Sequence, residues 1–296
     1  EAPALRSSLE AVWSSYESAR ASGAAPFEAA VRVASSVDRL GLAFAAGYSA
    51  ALQHLMPDVM LPCALCVTEA DGNHPRAIKT SLKPSTASSG HTLDGVKTFV
   101  TFGSMAKTLV VAARVGEQSD GKPELAVVRI PADREGISLN ELPPISFVPE
   151  IPHARVELDA VLVDVGERMN GDGYLDYVKP FRTVEDIHVY ASAVAYLFGL
   201  GRRVSASRDF LAELVAVLLT LGRLCELAPL DPLAHIALHG VGRHLDRLFR
   251  SAELSAIWDA APAEERERWE RDRRLLEVAG TAREARFSRA AERHWG

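Results

Sequence analysis

Cys66-Val67-Thr68-Glu69 and Leu93-Asp94-Gly95-Val96-Lys97-Thr98-Phe99-Val100-Thr101 decide how the middle of this chain folds. The first stretch ends an apolar run on a threonine–glutamate turn. After a variable excursion, the second opens on a polar hairpin signal and continues as a strand carrying Lys-x-aromatic-β-branched-Thr. Reading outward, 108–115 and 125–131 are short apolar runs separated by the turn cluster Gly-Glu-Gln-Ser-Asp-Gly-Lys-Pro-Glu at 116–124. Residues 154–163 begin with apolar–polar alternation and end in Val-Leu-Val. Short strands bounded by turn residues predict one β-barrel-like unit over 62–166, and the middle domain is set at 62–170.

In this order and spacing, the two stretches resemble the middle domain of the acyl-CoA dehydrogenase family, where they form the wall against which the flavin ring of FAD lies. The resemblance implies that Thr68, Phe99 and Thr101 contact the flavin. The chemistry agrees with it. A flavin that accepts hydride needs donors at its N5 and O4 edge, where negative charge develops. Thr68 and Thr101 each offer a hydroxyl beside a backbone N–H, on a side chain stiffened by β-branching. Phe99 offers a flat apolar face. Any one of these residues is ordinary in a strand; their order and spacing carry the inference.

The chain has 296 residues and ample apolar content for a buried core. A net charge of −6, with signs mixed along the chain and no basic patch interleaved with aromatics, argues against a nucleic-acid partner. No run of eighteen apolar residues is present to span a membrane. The first residues carry no signal-peptide pattern, so a cytoplasmic protein is expected. Three cysteines are too few for a disulfide framework. Cys63 and Cys66 form a Cys-x-x-Cys, but it enters a strand, and a structural zinc site needs four ligands where only Cys225 remains as a further thiolate.

Residues 3–56 are helical in character, in a short N-terminal domain set at 1–61. The segment from Pro26 has apolar residues at helical spacing, and 40–55 is rich in Ala and Gly on both faces, the pattern of a buried helix. The family carries a helical domain about twice as long before its Thr-Glu turn, so the region that covers the acyl chain departs from the pattern. From 171 to 296 the chain is predicted helical again, with helices near 174–203, 206–227, 231–251 and 263–292, like the family's C-terminal four-helix bundle. The last is expected to place Trp269, Leu276, Ala279 and Phe287 on an apolar stripe, with Glu267–Arg271 and Glu270–Arg274 pairs on its solvated face.

Oxidising an acyl thioester at its α and β carbons requires a base for the α proton, usually a carboxylate whose pKa is raised by burial. Most members of the family supply it from Arg-Asp-x-x-Leu-Leu, a short gap, then Glu-Gly-Thr. Here the segment begins Arg271-Asp272 and runs through Leu275-Leu276 to Gly280-Thr281, with Ala279 where the glutamate would stand. Glu277, two helical positions back, is turned roughly 200° away. A minority of the family places the base on the first bundle helix, and Glu185 fits that position loosely. Glu185 is therefore the candidate base, Asp186 the second choice, with His188 three residues on. An acid near a helix start is also favoured by the macrodipole alone.

The serine of the family's cofactor turn is replaced by His74, and Arg208-Asp-Phe210 and Gly240-Val-Gly242 only faintly echo its pyrophosphate cradle. Asp231, His235 and His239 recur every fourth residue, but Asp231 before Pro232 reads as an N-cap and no metal site is expected. The expectation is a multidomain α+β protein: a helical N-terminal segment, a β-barrel-like middle domain and a C-terminal helical bundle. Its function would be FAD-dependent α,β-dehydrogenation of an acyl-CoA or similar thioester, with an electron-transfer acceptor and a homo-oligomer implied by the resemblance. The alternative is a catalytically degenerate member that acts as an interaction or regulatory subunit without flavin.

Overall fold

The computed structural model describes residues 5–85, 89–119 and 121–296. Residues 1–4 of the segment read for a leader and Asp120 of the turn cluster lie outside the described residues. The chain packs into two compact units. One contains the chain up to His54, Ser146–Glu150 and Arg182–Gly296; the other contains Leu55–Ile145 and Ile151–Phe181.

The second unit is built on β1 (Cys63–Cys66), β2 (Ser81–Pro84), β3 (His91–Thr101), β4 (Thr108–Glu117), β5 (Pro123–Pro131), β6 (Ile137–Glu141) and β7 (His153–Val163). Among the described residues these form one seven-stranded sheet in the order β1-β4-β2-β3-β7-β6, with β5 on β4. β4 is the central strand. It pairs antiparallel with β5 and parallel with β1 and β2, and its run Leu109–Ala113 is wholly buried, as a strand covered on both faces should be. In β7 the alternation Ala154, Val156, Leu158 sends three side chains into the core. Ala160 interrupts it at φ +49, its N–H held 2.9 Å from the Asp94 carboxylate, and Val161 and Val163 then resume the buried face. Each buried Val or Leu contributes about 1.5–3 kcal/mol.

The helices are α1 (Leu9–Ala21), α2 (Pro26–Ala34), α3 (Leu40–Leu55), α4 (Lys179–Arg203), α5 (Arg208–Leu224), α6 (Pro232–Leu248), α7 (Ala252–Ala260), α8 (Ala263–Asp272) and α9 (Gly280–Trp295), which the helical unit holds except for Leu55 and the first three residues of α4. α3 is buried without interruption from Leu40 to Leu52, as an all-apolar helix must be. Its small residues have a use. A methyl group on Gly47 would come within 2.8 Å of the His188 carbonyl, so α3 and α4 meet backbone to side-chain-free backbone.

α5 buries Phe210, Leu214, Val217, Leu221 and Leu224, and α6 buries Ala234, Leu238, Val241, Leu245 and Leu248, each at alternating steps of three and four. Ser207 and Asp231 cap their first turns, the latter as its sequence position before Pro232 predicted. The end of the chain differs from expectation. A separate helix, α7, starts on a Ser251 cap, and the expected helix over 263–292 is broken by a tighter turn at Arg273–Glu277.

The break has a cause. Asp272 is fully buried; its carboxylate accepts the Val148 N–H at 2.7 Å and the Arg271 Nε and Nη2 at 2.7 and 2.8 Å. Arg271 therefore answers Asp272 and not Glu267. Trp269 and Leu276 are buried as expected, with Trp269 stacked on Trp258 at 5.3 Å, whereas Ala279 and Phe287 are half-buried. The Ser146–Glu150 segment, with Val148 at φ +42, thus packs with the helices although it lies between two strands of the sheet.

Candidate functional site

The Thr68–Glu69 turn is fastened to β3 by a buried ion pair. Lys97 has no exposed surface; its Nζ lies 2.7 Å from Glu69 Oε1 and 3.3 Å from the Val67 carbonyl. Glu69 also accepts the Lys79 N–H at 2.8 Å, the Thr80 N–H at 3.0 Å and the Thr80 hydroxyl at 2.7 Å. Burial alone would raise the Glu69 carboxyl, but the Lys97 ammonium and these donors outweigh it and hold the carboxyl below its usual value. Burial lowers the Lys97 ammonium despite Glu69. Gly95 completes the arrangement: at φ +152, a Cβ there would fall 2.4 Å from the Thr80 hydroxyl. The Thr98 N–H bonds to the Thr68 carbonyl at 2.9 Å, which brings the two halves of the sequence signature side by side.

On this support sits Phe99. β3 slips register against β7 between Lys97, which faces Val156, and Val100, which faces Ala154, so an extra residue bulges out. Phe99 takes φ +51 and is 60% exposed, while Lys97 and Val100 on either side are buried. A bulky residue in the left-handed region is strained by about 1–3 kcal/mol, and such strain gathers at binding sites. An exposed aromatic ring gains nothing for the core, so folding alone does not account for it. Thr68 and Thr101 are half-buried near it, Thr68 just past β1 and Thr101 at the end of β3, paired with His153. The exposed ring thus stands on a strand that ends at Thr101 and whose Thr98 N–H bonds to the Thr68 carbonyl.

His74, at the position of the family's cofactor serine, caps a short turn by accepting the Arg76 N–H on Nδ1 at 3.2 Å. With Arg76, Lys122, Asp172 and Tyr174 it lines a cavity of about 480 Å³ in the same unit.

In the helical unit, Glu185 is half-buried on α4. Burial, then the adjacent Asp186, pushes its carboxyl up to about 8, against the pull of Arg286, Arg182 and Arg283. Asp186 is committed elsewhere: Arg283 reaches its Oδ1 at 2.8 Å and Arg286 its Oδ2. Asp186 is therefore a structural counter-ion, and Glu185 is the carboxyl left with base-like character. His188 does not join it. Its ring is buried, with Nδ1 on the Val184 carbonyl at 2.7 Å, among Phe27, His54 and Cys225.

Residues 64–161 match the acyl-CoA dehydrogenase middle domain. Butyryl-CoA dehydrogenase from Megasphaera elsdenii superposes on 93% of this chain and 84% of its own, with a TM-score of 0.69 at 13% identity. This is the acyl-CoA dehydrogenase fold. PigA with FAD and proline covers 96% of this chain and 88% of its own (TM-score 0.66, 14% identity), and FMN-bound TdsC from Paenibacillus sp. A11-2 covers 95% and 88% (TM-score 0.66, 14% identity). No curated protein sequence matches the chain. The family resemblance carried by Thr68–Glu69 and Lys97–Thr101 is borne out, as is the mixed architecture of helical segment, β middle domain and helical C-terminal region.

Elsewhere the chain departs from the acyl-CoA dehydrogenase pattern. Ala279 caps α9 and Glu277 is exposed on the turn before it. Gly240 and Gly242 lie inside α6, where no glycine-rich turn forms. Asp231 bonds the Leu233 N–H at 2.8 Å, while His239 stacks on Phe287 at 3.8 Å and meets Glu284 at 3.4 Å, so the four-residue recurrence does not gather a metal site. Cys63 and Cys66 are buried free thiols in β1, both pushed up by burial, Cys66 to about 12. The buried Glu69–Lys97 pair is not among the residues the sequence singles out. Its signal was present: two opposite charges, each inside one half of an otherwise apolar and hydroxylic signature. Among the described residues, no helix is long and apolar enough to cross a membrane.

Proposed function

We propose that this protein is an FAD-dependent oxidoreductase that removes hydrogen across the α and β carbons of an acyl-CoA or similar acyl thioester. The observation that carries the reading is Phe99: an exposed aromatic ring on a strained bulge, held in place by a buried ion pair. Phe99 would support the face of the flavin ring, and Thr68 and Thr101 would donate to its N5 and O4 edge. When bound, the flavin supplies the acceptor for the β hydride.

The chain's own part is to bind, orient and move a proton. Glu185, in its carboxylate form, takes the α proton; a carboxyl pushed up to about 8 is a stronger base than a solvent-exposed one. The Glu69–Lys97 pair keeps the wall fixed, so its donors need no reorganisation during reaction. An electron-transfer acceptor, a homo-oligomeric assembly and a cytoplasmic location belong to the same proposal.

A second reading has its own support. Ala279 stands where most of the family place the base, and the glycines of the expected pyrophosphate cradle lie inside a helix. On that reading the chain is a flavin-free interaction or regulatory subunit. A visible absorption spectrum of the purified protein, before and after adding FAD and separately FMN, tells the two apart. Stoichiometric flavin with perturbed bands supports the oxidoreductase. A colourless protein that ignores both flavins overturns it for the isolated chain.

A further inference from the structure

Three helices of the helical unit bring together two imidazoles and a thiol. His54 lies at the end of α3, His188 in the middle of α4, and Cys225 just past α5. One ligand atom from each lies within 4.8 Å of the other two, the one such group of three among the described residues. His188 is oriented as metal-ligating histidines are. Its Nδ1–H donates to the Val184 carbonyl at 2.7 Å, so Nε2 carries the lone pair, and Nε2 faces Cys225 Sγ at 3.9 Å. The edge of Phe27, 5.8 Å away between ring centroids, packs against the same imidazole, and the His54 ring stands at 5.2 Å.

We propose that His54, His188 and Cys225 form a site for a borderline-soft divalent cation, Zn2+ being the best match, with a fourth position left for water or an exogenous ligand. The donor set selects the ion. Two imidazoles and a thiolate suit zinc and disfavour Mg2+ or Ca2+, which take oxygen. The spacing agrees. Tetrahedral zinc with nitrogen at ~2.0 Å and sulfur at ~2.3 Å separates its ligand atoms by roughly 3.3–3.6 Å. His188 and Cys225 are within a few tenths of an ångström of that. The remaining separations are at most 4.8 Å, and closing them would take rotation of His54 or Cys225, both only half-buried.

Binding exchanges the Cys225 S–H for a Zn–S bond and releases one proton to solvent; no electrons move. The ion would clip α3, α4 and α5 together at their shared junction. It requires no flavin and stands apart from the proposed oxidoreductase chemistry.

The full chain, stripped with chelator and dialysed against Zn2+, is assayed for metal by elemental analysis, and Cys225 is assayed for alkylation by peptide mass spectrometry. The expected result is one zinc per chain, Cys225 protected from alkylation by Zn2+, and a thiolate-to-cobalt charge-transfer band when Co2+ replaces it. Cys225→Ser and His54→Gln, at half-buried positions, are expected to keep the wild-type circular dichroism while weakening zinc by more than about tenfold. The proposal is overturned if wild type retains no more zinc than Cys225→Ser, or if Zn2+ leaves Cys225 alkylation unchanged. Either result would reduce the cluster to a thiol donating to a buried imidazole.

Discussion

Removing the charge from Lys97 tests whether the buried pair holds the Thr68–Glu69 turn against β3. In Lys97→Met, the long unbranched side chain fills the volume, but Glu69 loses its ammonium partner at 2.7 Å. The carboxylate keeps three donors, from Lys79 N–H, Thr80 N–H and the Thr80 hydroxyl. The loss should therefore sit at the lower end of the range for breaking a buried pair, about 3 kcal/mol. Glu69→Ala strands the ammonium and all three donors, and should cost about 5 kcal/mol. The double variant should lose at least about 2 kcal/mol less than the sum, because neither charge is left alone.

All four tryptophans, Trp13, Trp258, Trp269 and Trp295, lie in the helical unit, so tryptophan fluorescence does not report on the sheet. Hydrogen exchange of the amides in Cys63–Cys66 and His91–Thr101 does. At one decade per 1.36 kcal/mol, Lys97→Met should speed it about 150-fold. The sign with pH is fixed as well. The folded Glu69 carboxyl lies below its usual value, so the stabilisation is full above the ordinary Glu range near about 4.3 and is lost as pH falls through the folded value. Exchange within twofold of wild type in Lys97→Met would refute a holding role for the Glu69–Lys97 pair.

Phe99→Ala should weaken flavin at least tenfold by titration while leaving the melting temperature unchanged or slightly raised, since an exposed strained ring is removed. Glu185→Gln should retain flavin and lose at least about a hundredfold in turnover; the wild-type kcat/KM should rise with pH through about 8, as the base ionises. The raised carboxyl also makes the native state bind the extra proton between the ordinary Glu range and about 8, so wild type should lose stability across that interval and Glu185→Gln should lose less, read as melting temperature at pH 6 and pH 9. Asp272→Ala should cost about 3 kcal/mol in chemical unfolding followed by tryptophan fluorescence, because the Val148 N–H and the Arg271 guanidinium both lose their acceptor.

The strands were legible because their apolar runs are bounded by turn residues: β4, β5 and β7 begin and end within a few residues of expectation. α5 and α6 fall within a few residues of the expected 206–227 and 231–251, and Asp231 before Pro232 marked where the second begins. The breaks were not legible. Nothing in Arg271–Asp272 announces that the aspartate will turn inward to a backbone N–H more than a hundred residues earlier, and that contact, not local propensity, divides the last helix. The bulge at Phe99 was hidden for the opposite reason. An aromatic, β-branched run reads as a regular strand, and no glycine marks the positive φ. His54, His188 and Cys225 lie on or just past three different helices, far apart in the chain, so short metal-ligand spacings do not reveal them.

The Ser146–Glu150 segment has a consequence for modularity. The sheet is interrupted between β6 and β7 by five residues that pack with the helices and give the Val148 N–H to Asp272. A gene fragment cut at the ends of the strands would take those residues away from the carboxylate they satisfy, and would leave the helical remainder with a buried acid short of a donor. The sheet-bearing unit of this chain is therefore not a cassette. Transplanting it into another scaffold, or grafting a relative's version here, requires carrying Val148 and Asp272 as one inherited pair.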